Sequence, residues 1–153
     1  MKSPFRLLCW LLPSIALSGC WSYVSPEASK RFQARPGPIS VTVYPVNVAC
    51  MGKSTVGDFA LGGELVEWLN AQHIADATLG RPGAPIPVMW HANQARMAEQ
   101  SAHAFGAWVK RASIATDYAL LAEILCNRNE NEEIGVHFYL AEKSGLLAAG
   151  GLT

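Results

Sequence analysis

The sequence has no long hydrophobic run and no block of like charge. Its longest apolar stretch extends over the 11 residues from Leu7 to Leu17 and contains Pro13 and Ser14. Such a stretch is too short to cross a bilayer, which takes about 20 apolar residues. Twelve basic and twelve acidic residues are spread over 153 positions, so the chain gives no electrostatic support for a nucleic-acid partner. A transmembrane helix and a nucleic-acid-binding function are therefore not expected.

The sequence also lacks a recognisable metal-binding motif. Its four histidines show neither the HExxH spacing of a zinc hydrolase nor a cysteine neighbour at zinc-ligand spacing; they are His73, His91, His103 and His137. We therefore expect surface or half-buried histidines, no bound metal and no cofactor. His137 lies on the more polar face of a predicted strand.

What the sequence does contain is an export signal at its N-terminus. Lys2 and Arg6 precede the apolar stretch, and small residues follow it directly, which is the order of a signal peptide. The segment Leu17-Ser18-Gly19-Cys20 resembles the lipobox of bacterial lipoprotein precursors. This resemblance implies that residues 1–19 are removed and that Cys20, acylated with palmitate-type chains, begins the mature protein. The alternatives are an ordinary signal peptide or a buried helix with a chance cysteine.

The resemblance also implies a location. A lipoprotein cysteine carries at least two acyl chains, which is enough for stable membrane attachment at roughly 0.8 kcal/mol per buried CH₂ group. In enteric-type bacteria an Asp after the cysteine favours the inner membrane; Trp21 stands there instead, which favours the periplasmic face of the outer membrane. Residues 20–38 are rich in Ser, Pro, Gly and charge, and are predicted to be a lipid anchor and flexible tether. An ordered turn around Phe32 is the alternative.

The remaining chain is sized for one domain with one pair of cysteines. Removing 19 of 153 residues leaves 134, with ten basic and twelve acidic side chains, which suits a single core. Cys9 leaves with the signal and Cys20 is acylated, so Cys50 and Cys126 remain in a compartment that permits disulfides. They follow two strands that we expect to be parallel neighbours, and parallel strands end at the same edge of a sheet. A Cys50–Cys126 disulfide is therefore predicted.

The hydrophobic pattern of residues 39–153 predicts a single α/β domain of βαβαββ order, with a mixed sheet and two helices. The predicted strands span 39–46, 87–90, 117–126, 134–140 and 146–152, and the predicted helices run from about 55 to 72 and from about 93 to 112. Thr55 and Asp58 resemble a capping box at the first helix. The second helix has a regular apolar stripe, predicted to be buried, at Ala98, Ala102, Phe105, Val109 and Ala112. The chain ends inside an apolar Gly-rich segment, which we interpret as a sign of a truncated C-terminus.

One segment approximates a phosphate-binding loop. Such a loop needs Gly-x-x-x-x-Gly-Lys-Ser/Thr between a strand and a helix. Gly52, Lys53 and Ser54 fit this pattern, but Asn47 stands where the first glycine is required. An exported domain also meets little ATP. We therefore interpret the segment as a strand-to-helix turn that binds no nucleotide.

Large aromatic side chains are spread along the predicted elements. Trp68, Trp90 and Trp108 are predicted to belong to the core, because large aromatic residues contribute most to core burial. Trp21 is next to the predicted lipid attachment site. We expect it at the membrane interface, where aromatic residues are favoured.

The order of elements, with Asp117-Tyr118 opening the third strand and a hairpin behind it, resembles the small α/β domain of certain periplasmic lipoproteins. Examples are the curli-secretion channel lipoprotein and the lipoprotein activators of penicillin-binding proteins. The resemblance covers residues 39–152 and implies a role in binding or assembly, but transfers no functional residue. It favours a non-enzymatic, membrane-anchored envelope protein with a protein partner. The alternative is a periplasmic hydrolase that uses a free Cys50, with a histidine brought close to it by the fold.

Overall fold

A computed structural model of the chain describes residues 23–81, 86–128 and 133–152, and these form three helices and a seven-stranded mixed sheet. The predicted α/β class is confirmed. The helices are α1 (Pro26–Gln33), α2 (Phe59–Ala71) and α3 (Gln94–Ala112). The strands are β1 (Ile39–Val43), β2 (Val46–Cys50), β3 (Val56–Asp58), β4 (Ala75–Leu79), β5 (Tyr118–Cys126), β6 (Glu133–Glu142) and β7 (Leu147–Leu152). The predicted signal peptide, Cys20 and Trp21 lie outside the described residues.

Strand β5 is the centre of the sheet. On one side, β1 and β2 pair in parallel with successive halves of β5, while β6 pairs antiparallel on its other side and β7 follows outside β6. β4 and β3 lie outside β1 and β2. This confirms that the first and third predicted strands are parallel neighbours. The single strand predicted at 39–46 is interrupted at Pro45, because proline cannot donate a hydrogen bond to the ladder.

The strand outside β1 is not the predicted one. Residues 87–90 form no strand, whereas Ala75–Leu79 forms β4 in parallel pairing with β1. Alanine and aspartate favour strands only weakly, so β4 depends on its neighbours. The Asn70 side chain donates to the Ala77 carbonyl at 2.9 Å and accepts from the Ala77 amide at 2.8 Å. These two bonds satisfy the outer edge of β4 at that position.

Helices α2 and α3 each begin at a residue whose side chain accepts a hydrogen bond from a backbone amide of the first turn. Asp58 caps α2 by accepting from the amide of Leu61 at 3.0 Å, and Asn93 caps α3 by accepting from that of Arg96 at 3.3 Å. The cap at Asn93 places the start of α3 where the second helix is predicted to begin. Thr55 is not part of a capping box, because β3 separates it from the helix and its hydroxyl faces the Val88 amide at 3.4 Å.

The sheet separates two apolar layers. On one face α3 buries Ala98, Ala102, Phe105 and Val109, each 0% exposed, as predicted. Ala112 is exposed instead, because it is the last residue of the helix before Ser113 turns away in a left-handed conformation. The other face carries α2 and α1, and its core includes Leu65, Leu69 and Ala28.

Candidate functional site

The segment predicted to be a flexible tether is folded from Tyr23 onward. Ser25 caps α1 by accepting from the Ala28 amide at 3.3 Å, and its own amide donates to the carbonyl of Leu147 on the edge strand β7 at 2.9 Å. Ala28 is fully buried, and the Phe32 ring lies edge-on to that of Tyr118. The flexible tether was predicted because the segment is mostly polar and only two of its apolar residues, Ala28 and Phe32, face the domain. The alternative prediction, ordered structure around Phe32, agrees with the structure.

Ion pairs fix α1 to the sheet. The guanidinium of Arg31 binds both carboxylate oxygens of Glu142, at 2.9 and 2.8 Å. Arg35 binds Asp117 at 2.9 Å, and the hydroxyl of Ser40 donates to the same carboxylate at 3.0 Å. The Arg31 hydrogen bond lowers the pKa of Glu142, and the hydrogen bonds from Arg35 and then Ser40 lower the pKa of Asp117. Both acids are thus held ionised beside the helix.

Tyr23 fixes the point where the chain enters the domain. It is 6% exposed, and its ring lies 6.0 Å from that of Tyr139 in an edge-on arrangement. A side-chain carbon on Gly150 would come within 2.7 Å of the Tyr23 ring, so the glycine makes room for the tyrosine. Burial raises the pKa of Tyr23. The residue three positions after Cys20 is therefore a core residue.

The two remaining cysteines are bonded. Cys50 and Cys126 face each other across the parallel β2–β5 pair, with their Cα atoms 4.4 Å apart, and form a disulfide. The predicted bridge is thus present. It also removes the premise of the hydrolase alternative, because a bonded Cys50 offers no thiolate nucleophile.

A buried polar cluster lies under α3. The hydroxyl of Tyr139 donates to Glu123 at 3.0 Å and lies 3.1 Å from the Nδ1 atom of His137, and Asn47 donates to the carbonyl of Ile86 at 3.1 Å. Asn47, Glu123, His137 and Tyr139 are each at most 2% exposed. Burial, with the charge of Glu123, raises the pKa of Tyr139. The cluster joins three strands, and its four side chains are almost completely buried.

Sequence reasoning missed most of this cluster. It singled out His137 but expected it at or near the surface, whereas the side chain is 1% exposed. Glu123 lies within the strand predicted at 117–126, where it is the only charged residue between Tyr118 and Cys126. The available signal was its isolation, because a single acid within an apolar strand needs a buried partner.

The segment that approximates a phosphate-binding loop is a turn between two strands, so the prediction of a strand-to-helix turn is wrong. Gly52 adopts a positive φ of 81° in the turn after β2. Strand β3, not a helix N-terminus, follows Lys53 and Ser54, so the helix amides that would hold a phosphate are missing at this turn. Asn47 lies within strand β2 and is buried in the cluster under α3, so it does not take the place of a loop glycine.

The other predicted residues are dispersed. His73 and His91 are exposed between secondary-structure elements, and His103 is exposed on α3. No group of three or more His, Cys, Asp or Glu side chains in the described ranges could hold a metal ion. The described tryptophans all pack against core residues and are partly buried: Trp68, Trp90 and Trp108. Within residues 23–81, 86–128 and 133–152, the helices are too short or too polar for a membrane span.

An apolar cavity lies between α1, α2 and the sheet. Phe32 forms part of its wall from α1, Leu65 and Trp68 from α2, and Ala122 and Phe138 from the strands. Its volume is about 100 Å³, and every side chain that lines it is apolar. It differs from the cluster under α3 in being on the opposite face of the sheet and in containing no polar side chain.

Comparison with known proteins leaves the family open. No protein-family model matches the sequence, and no curated protein is significantly similar to it. Among solved structures, the LpoB C-terminal domain from Salmonella enterica aligns with a TM-score of 0.45 and 16% sequence identity, over 84% of this chain and 91% of that domain. At this level of similarity the match assigns neither a family nor a function to the chain.

Proposed function

We propose that this chain is a periplasmic lipoprotein, anchored through acylated Cys20, that acts as a non-enzymatic binding or assembly factor in the cell envelope. The observation that carries the proposal is the order of charge, apolar stretch and Leu17-Ser18-Gly19-Cys20, placed immediately before a folded domain. Residue 23 is already buried in that domain. The cut before Cys20 would therefore release the domain with almost no extra chain.

A binding role fits the chemistry of the described residues better than catalysis. Cys50, the nucleophile of the hydrolase alternative, is bonded to Cys126. The polar side chains that lie close together, around Glu123, are enclosed beneath α3. We also propose that the chain binds a protein partner in the envelope. We propose the outer membrane as its location, because Trp21 stands where an aspartate would favour the inner membrane.

Acyl labelling of variants that each lack one cysteine tests the anchor. In cells fed an alkyne analogue of palmitate, the wild type and Cys9→Ala should carry the label, whereas Cys20→Ala should carry none. Cys9→Ala is the matched control because it also removes a cysteine from the N-terminal segment. Equal labelling of wild type and Cys20→Ala would contradict the proposal.

Membrane fractionation tests the location separately. Wild type should sediment with outer membranes, and Trp21→Asp should move to inner membranes if the residue after Cys20 directs sorting. A wild type that is found in the soluble fraction would contradict anchoring of the mature protein.

A further inference from the structure

We propose that the cavity between α1, α2 and the sheet binds one acyl chain of a membrane phospholipid. The proposal rests on the anchor proposed above. The chain enters the domain at Tyr23 on the α3 face, and Ser25 then donates to Leu147 on the edge strand β7. Ala149 of β7 lines the cavity on the opposite face, so the chain entry and the cavity share this edge of the sheet. Binding here would add to the function a direct contact between the folded domain and individual lipid molecules, besides the covalent one.

The lining of the cavity selects for hydrocarbon. The side chains that line the cavity, among them Phe32, Trp68 and Phe138, expose no polar atom to it. A peptide backbone inserted here would leave its amides and carbonyls without partners, at a cost of roughly 1–3 kcal/mol for each group. A hydrocarbon chain has no such groups. An engineered apolar cavity of about 150 Å³ stays free of water and binds benzene, so a cavity of about 100 Å³ suits a few methylenes of a chain.

The anchor would hold the domain close to the lipids of the bilayer. Three residues reach at most about 11 Å, so Tyr23 lies within that distance of Cys20, whose acyl chains would be embedded in the bilayer. Moving a methylene from the bilayer into an apolar cavity exchanges one apolar environment for another, and avoids the roughly 0.8 kcal/mol that exposing it to water would cost. A nearby chain end can therefore enter the cavity without a large penalty.

Helix α1 links the anchor to the cavity. It begins three residues after Tyr23, and its Phe32 forms part of the cavity wall. The pair of Arg31 with Glu142 holds the helix on the sheet, and the pair of Arg35 with Asp117 holds the residues that follow it. The same short segment thus sets the distance to the membrane and bounds the predicted lipid site.

Photocrosslinking in vesicles tests the inference. The purified lipoprotein is reconstituted into phosphatidylcholine vesicles that contain a phosphatidylcholine with a diazirine near the end of one acyl chain. The vesicles are irradiated, and the adducts are mapped by peptide mass spectrometry. We expect adducts on the peptides that contain Phe32, Trp68 or Phe138. Ala122→Leu, which fills the cavity, should lower their yield at least ten-fold. Ala60→Leu makes the same change at an exposed position of α2 and should leave the yield unchanged.

A second variant guards against misfolding. If Ala122→Leu does not melt cooperatively, Val136→Phe narrows the cavity from a half-buried position and should have the same effect. Adducts spread evenly over the surface, or undiminished in a folded filling variant, would overturn the inference. A free diazirine fatty acid serves as a separate arm: cavity labelling by this probe but not by the phospholipid would also overturn it, since the ligand would then be a free acid.

Flotation of the same vesicles separates the two proposals. Protein that floats but is not labelled in the cavity contradicts only the lipid site. Protein that fails to float contradicts the anchor, and if it is also unlabelled it contradicts both.

Discussion

Removing the Cys50–Cys126 disulfide should destabilise the domain strongly. The bond joins positions 76 residues apart, and the chain-entropy model gives about 4 kcal/mol for closing a loop of this length. Domains of this size have about 5–15 kcal/mol in total, so the loss would be a large part of the stability. It would also free the turn after β2 from the end of β5.

The assay is urea unfolding of the wild type and of the double variant Cys50→Ala/Cys126→Ala, monitored by far-ultraviolet circular dichroism. The wild type with a reducing agent is the matched control, since it breaks the bond without changing the sequence. We expect the double variant and the reduced wild type to unfold at similar, lower urea concentrations, with a difference from the oxidised protein of about 3–4 kcal/mol. A difference under about 1 kcal/mol would refute the reasoning from loop length, and two alkylatable thiols in the oxidised wild type would refute the bridge itself.

Three further results are expected. Phe105→Ala should cost about 3–5 kcal/mol in urea unfolding, because Phe105 is fully buried under α3; the exposed neighbour His103→Ala should cost under about 0.5 kcal/mol, and equal effects would show that the wrong helix face is taken as buried. The lowered pKa of Glu142 means that its pairing with Arg31 stabilises α1 above about pH 5 and is lost as the pH falls through that pKa, so hydrogen-exchange protection of α1 should decrease below about pH 4, and Arg31→Met should lack part of this decrease. Calorimetric titration with Mg²⁺ and ATP should show no binding to the wild type or to Lys53→Ala; a micromolar signal lost in the variant would revive the phosphate loop.

Some elements were predictable because a single local signal determined them. The regular stripe on α3 indicates one buried face, and the structure buries all of its residues except Ala112 at the helix end. The alternation of apolar residues predicts that β6 is a strand, but its other face, with His137 and Tyr139, is the more deeply buried one. The disulfide was predictable from topology, since the parallel pairing of β2 and β5 places Cys50 and Cys126 at the same edge.

Other elements depend on contacts that a linear pattern does not show. β4 is a strand because β1 and the Asn70 side chain pair with residues of low strand preference. α1 is a helix because Ala28 and Phe32 pack on a surface formed much later in the chain, at Tyr118 and β7. Glu123 is buried because β6 brings Tyr139 to it. In each case the partner, not the segment, decides the structure.

The mass of the intact protein purified from membranes tests the central claim most directly. We predict an N-terminus at Cys20, the absence of residues 1–19, an added mass of at least two acyl chains, and one intact Cys50–Cys126 disulfide. Proteolysis should place the added mass on the N-terminal peptide. A protein that keeps residues 1–19, or that begins at Cys20 without any acyl chain, would contradict the account.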